Sequence, residues 1–437
     1  MNPLAQKAND AISAINPHIL DMLSDVGKDL YFPRGILTQG AEAKEKAHDI
    51  NATVGIATDS SGVLYFPSVM NCMPGINPDD ALPYASSYGL PALRKLWKEE
   101  LVQKNPSLAG KDITLPVVTS GITNGLSVFA DLWINPGDTI LLPDMMWGNY
   151  QLLFGVRKRA KIETYPVFTD DLQFDVEGFA RTIQEQAAKN DKLIVLVNFP
   201  HNPSGYTASK DEAQQMADAL IAVAKGGTNV IVACDDAYFG LFFEKETEKE
   251  SIFTKLCGQH ERLLLVKLDG GTKENFIWGL RVGFITHGVT GTGDVKGALE
   301  ALEMKTGGCV RGMISNVSHL SQRLLLNSIQ SDAYAGEKKE KFDILKKRAN
   351  KVRDVLKNPK YASAWEVYPF NSGYFMCVRL KNTPAEKARL YLLDKYGVGL
   401  ISMGERDLRI AFSCVEENDI ETLFDTIYKA IEELTPA

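Results

Sequence analysis

The middle of the chain alternates short apolar runs with stretches of helical periodicity, and this alternation limits the folds open to it. The strand-length runs lie at Pro116–Thr119, Thr139–Leu142, Leu193–Val197, Val230–Cys234, Leu263–Leu268 and Val282–Thr286. Most of them are apolar at nearly every position, which suits strands that helices cover on both faces. Stretches between them, such as Lys210–Ala224, place apolar residues every three to four positions, as an amphipathic helix does. The pattern predicts an α/β fold with a mainly parallel sheet.

The last third of the chain follows a different pattern. A long charged helix is predicted over roughly Ala335–Leu356, followed by the strand-like GYFMCVRL, a helix near Thr383–Tyr396, the strand-like LRIAFS and a helix from Glu416. This order predicts a smaller α+β domain. The hairpin-like segment INATVGIATDSSGVLYFP comes before the first α/β unit, and we expect it to pack with the smaller domain. The predicted division is a large domain at 75–330 and a small domain built from 1–74 and 331–437.

Composition and charge exclude several classes of protein. Of the 437 residues, 45% are apolar and 24% are charged, which excludes a disordered or fibrous chain. The net charge of −7 comes without a basic block, so nucleic acid is not an expected partner. The six cysteines have neither CxxC nor Cys/His spacing, which predicts reduced core thiols and no metal site. No signal-peptide pattern and no membrane-length apolar run is present, so we expect a cytoplasmic protein without a membrane partner.

Chemically suggestive segments follow four of the predicted strands. They read TSGITNGL, NFPHNPSG, DDAYFG and DGGTK. In α/β sheets, ligands bind beyond the carboxyl ends of the strands, so these segments are expected at one site. Taken singly, each also has a local explanation: Asn, Pro and Gly favour turns, Asp235 could cap a turn, and Lys273 could be a solvated lysine.

The order and spacing of these segments are more specific than any one of them. Together with YASSYG, MWGNY, an arginine eight residues after Lys273, and RIAFS near the end, they resemble the class I aminotransferases of the aspartate and aromatic type. The resemblance extends from Val54-Gly55 to Arg409. It implies the fold of type I pyridoxal-phosphate enzymes, with a large domain whose mainly parallel sheet lies between helices and a smaller α+β domain. It also implies pyridoxal 5'-phosphate as the cofactor and a homodimer with shared active sites.

The resemblance assigns roles around the cofactor ring. Lys273 matches the lysine that holds the cofactor's aldehyde and moves the substrate's α-proton. Asp235 is expected to pair with the ring nitrogen, which keeps the ring protonated and able to accept electrons. Tyr238 and Asn202 are expected to donate to the ring oxygen. Trp147 matches the aromatic residue that stacks on the ring, and Asn202 and Trp147 are also expected to contact the substrate.

The resemblance also implies a phosphate site, where a dianion needs fixed donors. The expected contacts are Gly121, Ile122, Thr123, Thr272 and Arg281, with Tyr84 from the other subunit. A helix start presents N–H groups to the phosphate, and arginine presents a planar fork. One departure is visible: Gly270 stands where the family usually has the first serine of Ser-x-Ser-Lys, so one phosphate hydroxyl is lost.

Two arginines are expected to bind the substrate. Arg409 matches the arginine that holds the α-carboxylate, and Gly55 matches the residue whose backbone passes beside the substrate. Arg311, within CVRGMISN, matches an arginine that reaches the site from the neighbouring subunit and binds an acidic side chain. The aromatic enzymes keep the same arginine, so it does not separate aspartate or glutamate from aromatic substrates. Tyr150 stands where the family often has histidine.

The leading hypothesis is an aminotransferase that exchanges an amino group between an amino acid and a 2-oxo acid by a ping-pong route. A lyase acting on an amino acid, by β- or γ-elimination, is the alternative within the same fold. Both arginines favour transamination, because the returning oxo acid needs the same anchors as the amino acid. A non-enzymatic cofactor-binding regulator is a remote third possibility. Such regulators carry a DNA-binding module, and no helix-turn-helix segment is visible in the sequence.

Overall fold

The computed structural model describes residues 1–15, 17–31 and 35–435. The helices are α1 (Pro3–Ile15), α2 (Pro17–Met22), α3 (Asp25–Asp29), α4 (Ile36–Lys46), α5 (Pro67–Asn71), α6 (Pro91–Lys104), α7 (Gly121–Trp133), α8 (Val176–Ala187), α9 (Lys210–Lys225), α10 (Ile252–Leu256), α11 (Gly271–Glu274), α12 (Val295–Ile314), α13 (His319–Ile329), α14 (Tyr334–Leu356), α15 (Ala385–Tyr396) and α16 (Ile420–Leu434). None of these helices, which come from the described ranges, combines the length and apolarity that a membrane crossing requires.

The strands fall into two main sheets and two short pairs. They are β1 (Ile50–Asn51), β2 (Thr58–Asp59), β3 (Gly62–Val63), β4 (Val117–Thr119), β5 (Thr139–Pro143), β6 (Lys161–Tyr165), β7 (Lys192–Asn198), β8 (Asn229–Asp235), β9 (Leu263–Gly270), β10 (Gly283–Gly288), β11 (Trp365–Val367), β12 (Met376–Leu380), β13 (Val398–Gly399), β14 (Ile401–Met403) and β15 (Asp407–Ile410). A π-helical segment, Gln151–Val156, lies between β5 and β6.

The larger sheet has the strand order β4-β10-β9-β8-β7-β5-β6. Strands β6, β5, β7, β8 and β9 pair in parallel, and β10 is antiparallel to both of its neighbours. Side chains along β8 alternate between two apolar cores: Val230 and Val232 belong to one, Ile231 and Ala233 to the other. Both faces of the sheet are therefore covered, as continuous apolar strands require. The predicted α/β fold with a mainly parallel sheet is confirmed.

Strand β6 was not among the predicted strands. Its sequence, KIETY, carries charge, and only Tyr165 is buried. Within the described residues it pairs with β5 alone and forms one edge of the sheet. A strand in that position needs little apolar surface, so it lacks the apolar run that marked the other strands.

The smaller sheet has the order β11-β12-β15-β14, and its neighbours are all antiparallel. The predicted hairpin is present as β2 and β3. Strand β1 pairs in parallel with β13, and the Ala411 N–H donates to the Ala52 carbonyl at 2.9 Å. These contacts join residues 50–52 to the C-terminal part of the chain.

Chain segments at one end of the larger sheet converge on a single place. Strands β7, β8 and β9 end there at Asn198, Asp235 and Gly270. Helix α7 begins there at Gly121, directly after β4. The smaller sheet faces the same place with Arg409 on β15.

Candidate active site

A cavity of about 330 Å³ lies where the three strand ends meet. It is lined by most of the residues that the sequence singles out: Gly55, Ile122, Thr123, Trp147, Asn202, Asp235, Tyr238, Thr272, Lys273, Arg281 and Arg409. Segments separated by hundreds of residues in sequence therefore form one concave site. A pocket with converging polar groups is the usual form of a small-molecule site.

Lys273 lies on the single turn of α11, immediately after β9. The Tyr374 hydroxyl donates to its main-chain carbonyl at 3.1 Å, and its Nζ lies 4.9 Å from the centroid of the Tyr238 ring. Burial lowers the pKa of Lys273 to about 8, against the attraction of Asp235 and helped by repulsion from Arg281. Near neutral pH a useful fraction of this amine is uncharged, so it can act as a nucleophile and as a base.

Asp235 ends β8 and turns its carboxylate toward the cavity. Its Oδ2 accepts a hydrogen bond from the Tyr150 hydroxyl at 2.6 Å, and its Oδ1 accepts from the Ala237 N–H at 3.2 Å. Burial raises the pKa of Asp235, while the Tyr150 hydrogen bond and Lys273 act in the opposite direction. The side chain of Asn198 donates to the Asp235 carbonyl at 2.7 Å and braces the strand end.

Asp236, the next residue, points away from the cavity. It forms a buried ion pair with Lys267, whose Nζ also lies 3.4 Å from Asp269. Trp97 Nε1 donates to the other oxygen of Asp269 at 3.1 Å. Since Asp236 is paired behind the sheet edge, Asp235 is the carboxylate of the two that can meet a ligand.

The end of the cavity near α7 suits a phosphate. The Thr272 hydroxyl is buried and has no hydrogen-bond partner among the described residues. Gly121 has a φ of +70°, and a Cβ there would overlap Nη2 of Arg281, so glycine is what lets the guanidinium lie against the helix start. A hydroxyl without a partner, a helix N-terminus and a guanidinium fit a phosphate dianion.

Arg409 lies in the cavity wall on the opposite side. Its side chain is buried, and its guanidinium carbon lies 4.2 Å from the centroid of the Phe375 ring. Nη2 donates to the Thr53 carbonyl at 2.8 Å, and Nη1 donates to Asn202 Oδ1 at 3.2 Å. Nε has no partner within the described part of the chain. The guanidinium thus keeps donors for an anionic group in the cavity.

Comparison with known proteins identifies the family. The family described as aminotransferase class I and II matches residues 53–427. The chain belongs to this family. It is therefore an aminotransferase that uses pyridoxal phosphate and works by the ping-pong route of the class. The buried lysine, the carboxylate and the phosphate-fitting end of the cavity agree with that cofactor.

Individual relatives are distant in sequence but similar in fold. The chain is 24% identical to an aspartate aminotransferase of Sulfurisphaera tokodaii over 77% of this chain and 79% of that protein. An aminotransferase structure from Anaerococcus prevotii has 22% identity and a TM-score of 0.83, and covers 94% of this chain and 99% of its own. A Pyrococcus horikoshii kynurenine aminotransferase solved with PMP has 18% identity and a TM-score of 0.77, covering 96% of this chain and 99% of its own. The fold-type I architecture is confirmed.

The packing around Gly270 explains why the aminotransferase lacks a serine there. A Cβ at this position would lie 2.7 Å from both the Val282 carbonyl oxygen and the Gly283 Cα, which belong to the backbone leading into and forming β10. These atoms cannot move away as a flexible side chain can. The backbones of β9 and β10 approach too closely at this pair for any side chain at residue 270.

Gly55 is in a different position. A Cβ there would lie 3.4 Å from Phe375 Cζ and 3.5 Å from the Tyr238 hydroxyl, which is ordinary van der Waals contact. Protein packing therefore does not require glycine at this residue. A requirement for glycine would have to come from the substrate beside it.

Three predicted site residues are not among those that line the cavity of their own chain. One of them, Gly121, is buried at the start of α7 and lies against Arg281. The other two are Tyr84 and Arg311. Tyr84 is 91% exposed. Arg311 is exposed on the last turn of α12, and its Nη1 donates to Ser315 Oγ at 2.7 Å. Their assignment to the active site of a second subunit stays a prediction.

The structure adds residues to which the sequence assigned no contact in the site. Asn198, Trp278 and Phe375 line the cavity of the aminotransferase, as does Tyr150, which the sequence marks only as a departure from the family's histidine. Asn198 begins the NFPHN motif and accepts the Asn202 N–H at 2.9 Å, so its place at a strand end was the available signal. Phe375 carries no polar group, and nothing in its local sequence distinguishes it from a core residue.

Proposed function

We propose that this aminotransferase moves the amino group of aspartate, glutamate or an aromatic amino acid to a 2-oxo acid, and that it works as a homodimer. The observation that carries the proposal is the meeting of Lys273, Asp235 and the buried Arg409 in one cavity. Transamination needs an amine to move protons, an anion for the cofactor ring and a fork for the α-carboxylate.

The residues around the ring position have separate tasks. Pyridoxal phosphate, when bound, supplies a carbonyl that captures the amino group and a ring that accepts electrons from the α-carbon. Lys273 holds the cofactor and moves the α-proton, which its lowered pKa suits. Asp235 presents its carboxylate to the ring nitrogen, and Trp147 lies against the ring. Tyr238 and Asn202 donate to the ring oxygen, and burial raises the pKa of Tyr238 so that its hydroxyl keeps its proton.

The phosphate is held at the start of α7. Its proposed contacts are Gly121, Ile122, Thr123, Thr272 and Arg281, with Tyr84 from the second subunit. The free Thr272 hydroxyl and the approach of Arg281 to Gly121 support this assignment. Because residue 270 is glycine, Thr272 is the hydroxyl that this turn offers to the phosphate.

Arg409 binds the α-carboxylate of every substrate. Its guanidinium is planar and keeps unused N–H groups, including an Nε without a partner among the described residues, and two parallel N–H groups match a carboxylate. Asn202 orients the guanidinium by accepting a hydrogen bond from Nη1, and the Phe375 ring packs against the guanidinium face. Gly55 passes beside the substrate and lines the same cavity.

An exposed apolar face supports the homodimer. The loop before α6 lies against the end of α12 and the start of α13, through Ser87 Oγ to the Ser315 carbonyl at 2.8 Å and His319 to the Pro83 carbonyl at 3.0 Å. Exposed apolar side chains occur on this loop and on both helices: Leu82, Tyr84, Met304 and Leu320. We propose that a second copy covers this face, since large apolar side chains left exposed on one chain are often buried in an interface. The partner's Tyr84 and Arg311 would then reach the neighbouring cavity.

Arg311 would bind the distal carboxylate of an acidic substrate. The relative from Sulfurisphaera tokodaii is named an aspartate aminotransferase, and the structure from Pyrococcus horikoshii is described as a kynurenine aminotransferase. Acidic and aromatic substrates both occur among similar proteins, and an arginine at this position is compatible with both. The substrate range therefore rests on what Arg311 contacts.

Two arginine variants test the substrate assignment. Arg409→Ala should harm every amino acid, by about 2–5 kcal/mol in kcat/KM, because a buried charge pair is lost. Arg311→Ala should harm aspartate and glutamate by a similar amount and spare phenylalanine. The measurement is the rate of each half-reaction, followed by the cofactor's absorbance.

Lys296→Ala is the matched control, because this residue lies on the same helix as Arg311 and is exposed. Equal losses for aspartate and phenylalanine in Arg311→Ala would contradict the distal-carboxylate role. If the wild type used neither aspartate nor glutamate, Arg311 would be an interface residue without a substrate role. Release of ammonia in place of a stable aminated cofactor would indicate elimination, the lyase alternative.

We also propose the domain division and compartment expected from the sequence: a large domain at 75–330, a small domain from 1–74 and 331–437, and the cytoplasm. The pairing of β1 with β13 supports placing the hairpin region with the small domain. Helix α3 also contacts the proposed large domain, because the Asp25 carboxylate lies 3.2 Å from the guanidinium of Arg159, which precedes β6. The six cysteines are free thiols, which supports a reducing compartment.

A further inference from the structure

The carboxylate of Asp235 is held by a phenol. Tyr150 donates its hydroxyl hydrogen to Asp235 Oδ2 at 2.6 Å, and both side chains are buried. This is the short distance typical of a hydrogen bond to an ionised oxygen. Among the described residues, the other carboxylate oxygen receives only the Ala237 main-chain N–H, at the longer distance of 3.2 Å.

The Tyr150 ring is fixed from two sides. Its centroid lies 5.6 Å from that of Trp147, edge to face, and 5.8 Å from that of Phe154, in a stacked arrangement. Its main-chain N–H donates to the Trp147 carbonyl at 3.0 Å. The π-helical segment begins at the next residue, and such segments are frequent at functional sites. The hydroxyl thus has little freedom to leave Asp235.

Few groups near Asp235 could hold its carboxylate in place of Tyr150. In the described part of the chain, the charged and titratable groups near Asp235 are Lys273, Asp236 and Tyr238, and Tyr165 and Tyr238 lie near Tyr150. Asp236 is already paired behind the site with a lysine. Burial and the neighbouring Asp235 raise the pKa of Tyr150 well above its usual value, so the phenol stays protonated. An imidazole would instead change its charge near pH 6.5.

We propose that Tyr150 is a positioning residue that keeps Asp235 ionised and aimed at the cofactor's ring nitrogen, and that it does so without changing charge across the working pH range. The inference rests on the proposed role of Asp235. It goes beyond that role, because the donor that secures the carboxylate is assigned to a residue outside the cofactor contacts. Loss of the hydroxyl would leave a buried carboxylate short of a donor, and burial alone favours its protonated form.

The test is a binding measurement that does not depend on turnover. Pyridoxamine phosphate and its analogue with CH in place of the ring nitrogen are titrated onto the apoenzyme. Neither compound carries the aldehyde that reacts with Lys273. The dissociation constant of the analogue divided by that of pyridoxamine phosphate therefore reports the contact to the ring nitrogen. We expect Tyr150→Phe to lower this ratio about 10- to 100-fold, the loss of one hydrogen bond to a charged group.

Tyr165→Phe is the matched control. Tyr165 is a buried tyrosine on β6 whose hydroxyl donates to the Leu196 carbonyl at 2.9 Å, and it does not line the cavity. Its loss should leave the ratio unchanged. Tyr150→His should give a ratio between those of the wild type and Tyr150→Phe. This ratio should vary between pH 5.5 and 7.5, whereas the wild-type ratio stays flat there.

The outcomes separate the inference from the role on which it rests. If wild-type apoenzyme binds both compounds equally, Asp235 does not contact the ring nitrogen and the underlying role fails. If the wild type discriminates and Tyr150→Phe discriminates equally well, only the role of Tyr150 is overturned. A fall in affinity for both compounds by the same factor would likewise overturn it, since packing alone would then explain the residue.

Discussion

Two buried lysines lie six positions apart on β9 and the turn after it, and their surroundings shift their pKa values in opposite directions. Lys267 is fully buried, and burial acts to lower its pKa, but Asp236 and Asp269 together raise it above the usual value. Lys273 has no carboxylate within ion-pair distance in the described part of the chain, and burial lowers its pKa to about 8. One short segment, β9 and the turn after it, thus holds one lysine as a permanent cation and the other as an amine ready to react.

The difference lies in which groups satisfy the nearby carboxylates. Asp236 is satisfied by a cation, Lys267, whereas Asp235 is satisfied by a neutral donor, Tyr150. Because a phenol takes up one oxygen of Asp235, that carboxylate can be buried without a contacting lysine. Lys273 then keeps its lowered pKa. A structural ion pair and a reactive amine can therefore lie within one short segment.

Lys273→Ala should show the largest effect. Without the amine, the cofactor is not held covalently and the α-proton has no base, so we expect a loss of about 10⁴-fold or more in the half-reaction rate. Stability should change by less than about 1 kcal/mol, since no ion pair is broken. Stopped-flow absorbance with aspartate gives the rate, and urea unfolding gives the stability. Turnover near that of the wild type would remove Lys273 from its role.

Lys267→Met should instead have its main effect on stability. It leaves Asp236 and Asp269 buried without their cation, which should cost about 3–5 kcal/mol of unfolding free energy. Urea unfolding at pH 7 measures it. The double variant Lys267→Met with Asp236→Asn removes one of the stranded charges and should recover part of the loss. If the single variant were as stable as the wild type, the ion pair would not be what distinguishes the two lysines.

Local sequence patterns were enough to predict most of the fold and the location of the site. The strand ends at Asn198, Asp235 and Gly270 could be predicted because each closes an apolar run and opens a turn motif. The resemblance assigns Asp235 to the ring nitrogen, and the structure turns Asp235, not Asp236, toward the cavity.

Contacts between distant segments could not be predicted in the same way. Tyr150 and Asp235 are 85 residues apart, and nothing in MWGNY specifies where its phenol points. Lys267 lies in an otherwise apolar run, and its ion pair to Asp236 forms across neighbouring strands. Arg311 depends on a second chain for its partner, so its role cannot be derived from the fold of one chain.

Gly270→Ser tests the backbone that separates the two lysines. The substitution introduces the serine usual in the family, but its Cβ would lie 2.7 Å from the Val282 carbonyl oxygen. We expect a loss of about 1–3 kcal/mol in unfolding free energy, typical of overpacking, and no gain in cofactor affinity. Gly279→Ser is the control, because a Cβ there meets nothing within 4 Å. A tighter cofactor complex with unchanged stability would show that the strands can separate to admit the side chain.

The smallest effect concerns pH, and it compares the two lysines directly. Acetic anhydride acylates only uncharged amines, and peptide mass spectrometry of the labelled apoenzyme reports each lysine separately. With a folded-state pKa of about 8, Lys273 is mostly protonated at pH 6 and mostly neutral above pH 8. Its labelling rate should therefore rise about tenfold per pH unit between pH 6 and 7 and level off above pH 8. Lys267, whose pKa is raised by two carboxylates, should stay unlabelled throughout. Asp235→Asn removes the attraction that opposes burial, so the midpoint for Lys273 should move to lower pH. A wild-type midpoint near that of an ordinary lysine would mean that the cavity does not lower the pKa, and the contrast between the two lysines would then rest on access alone.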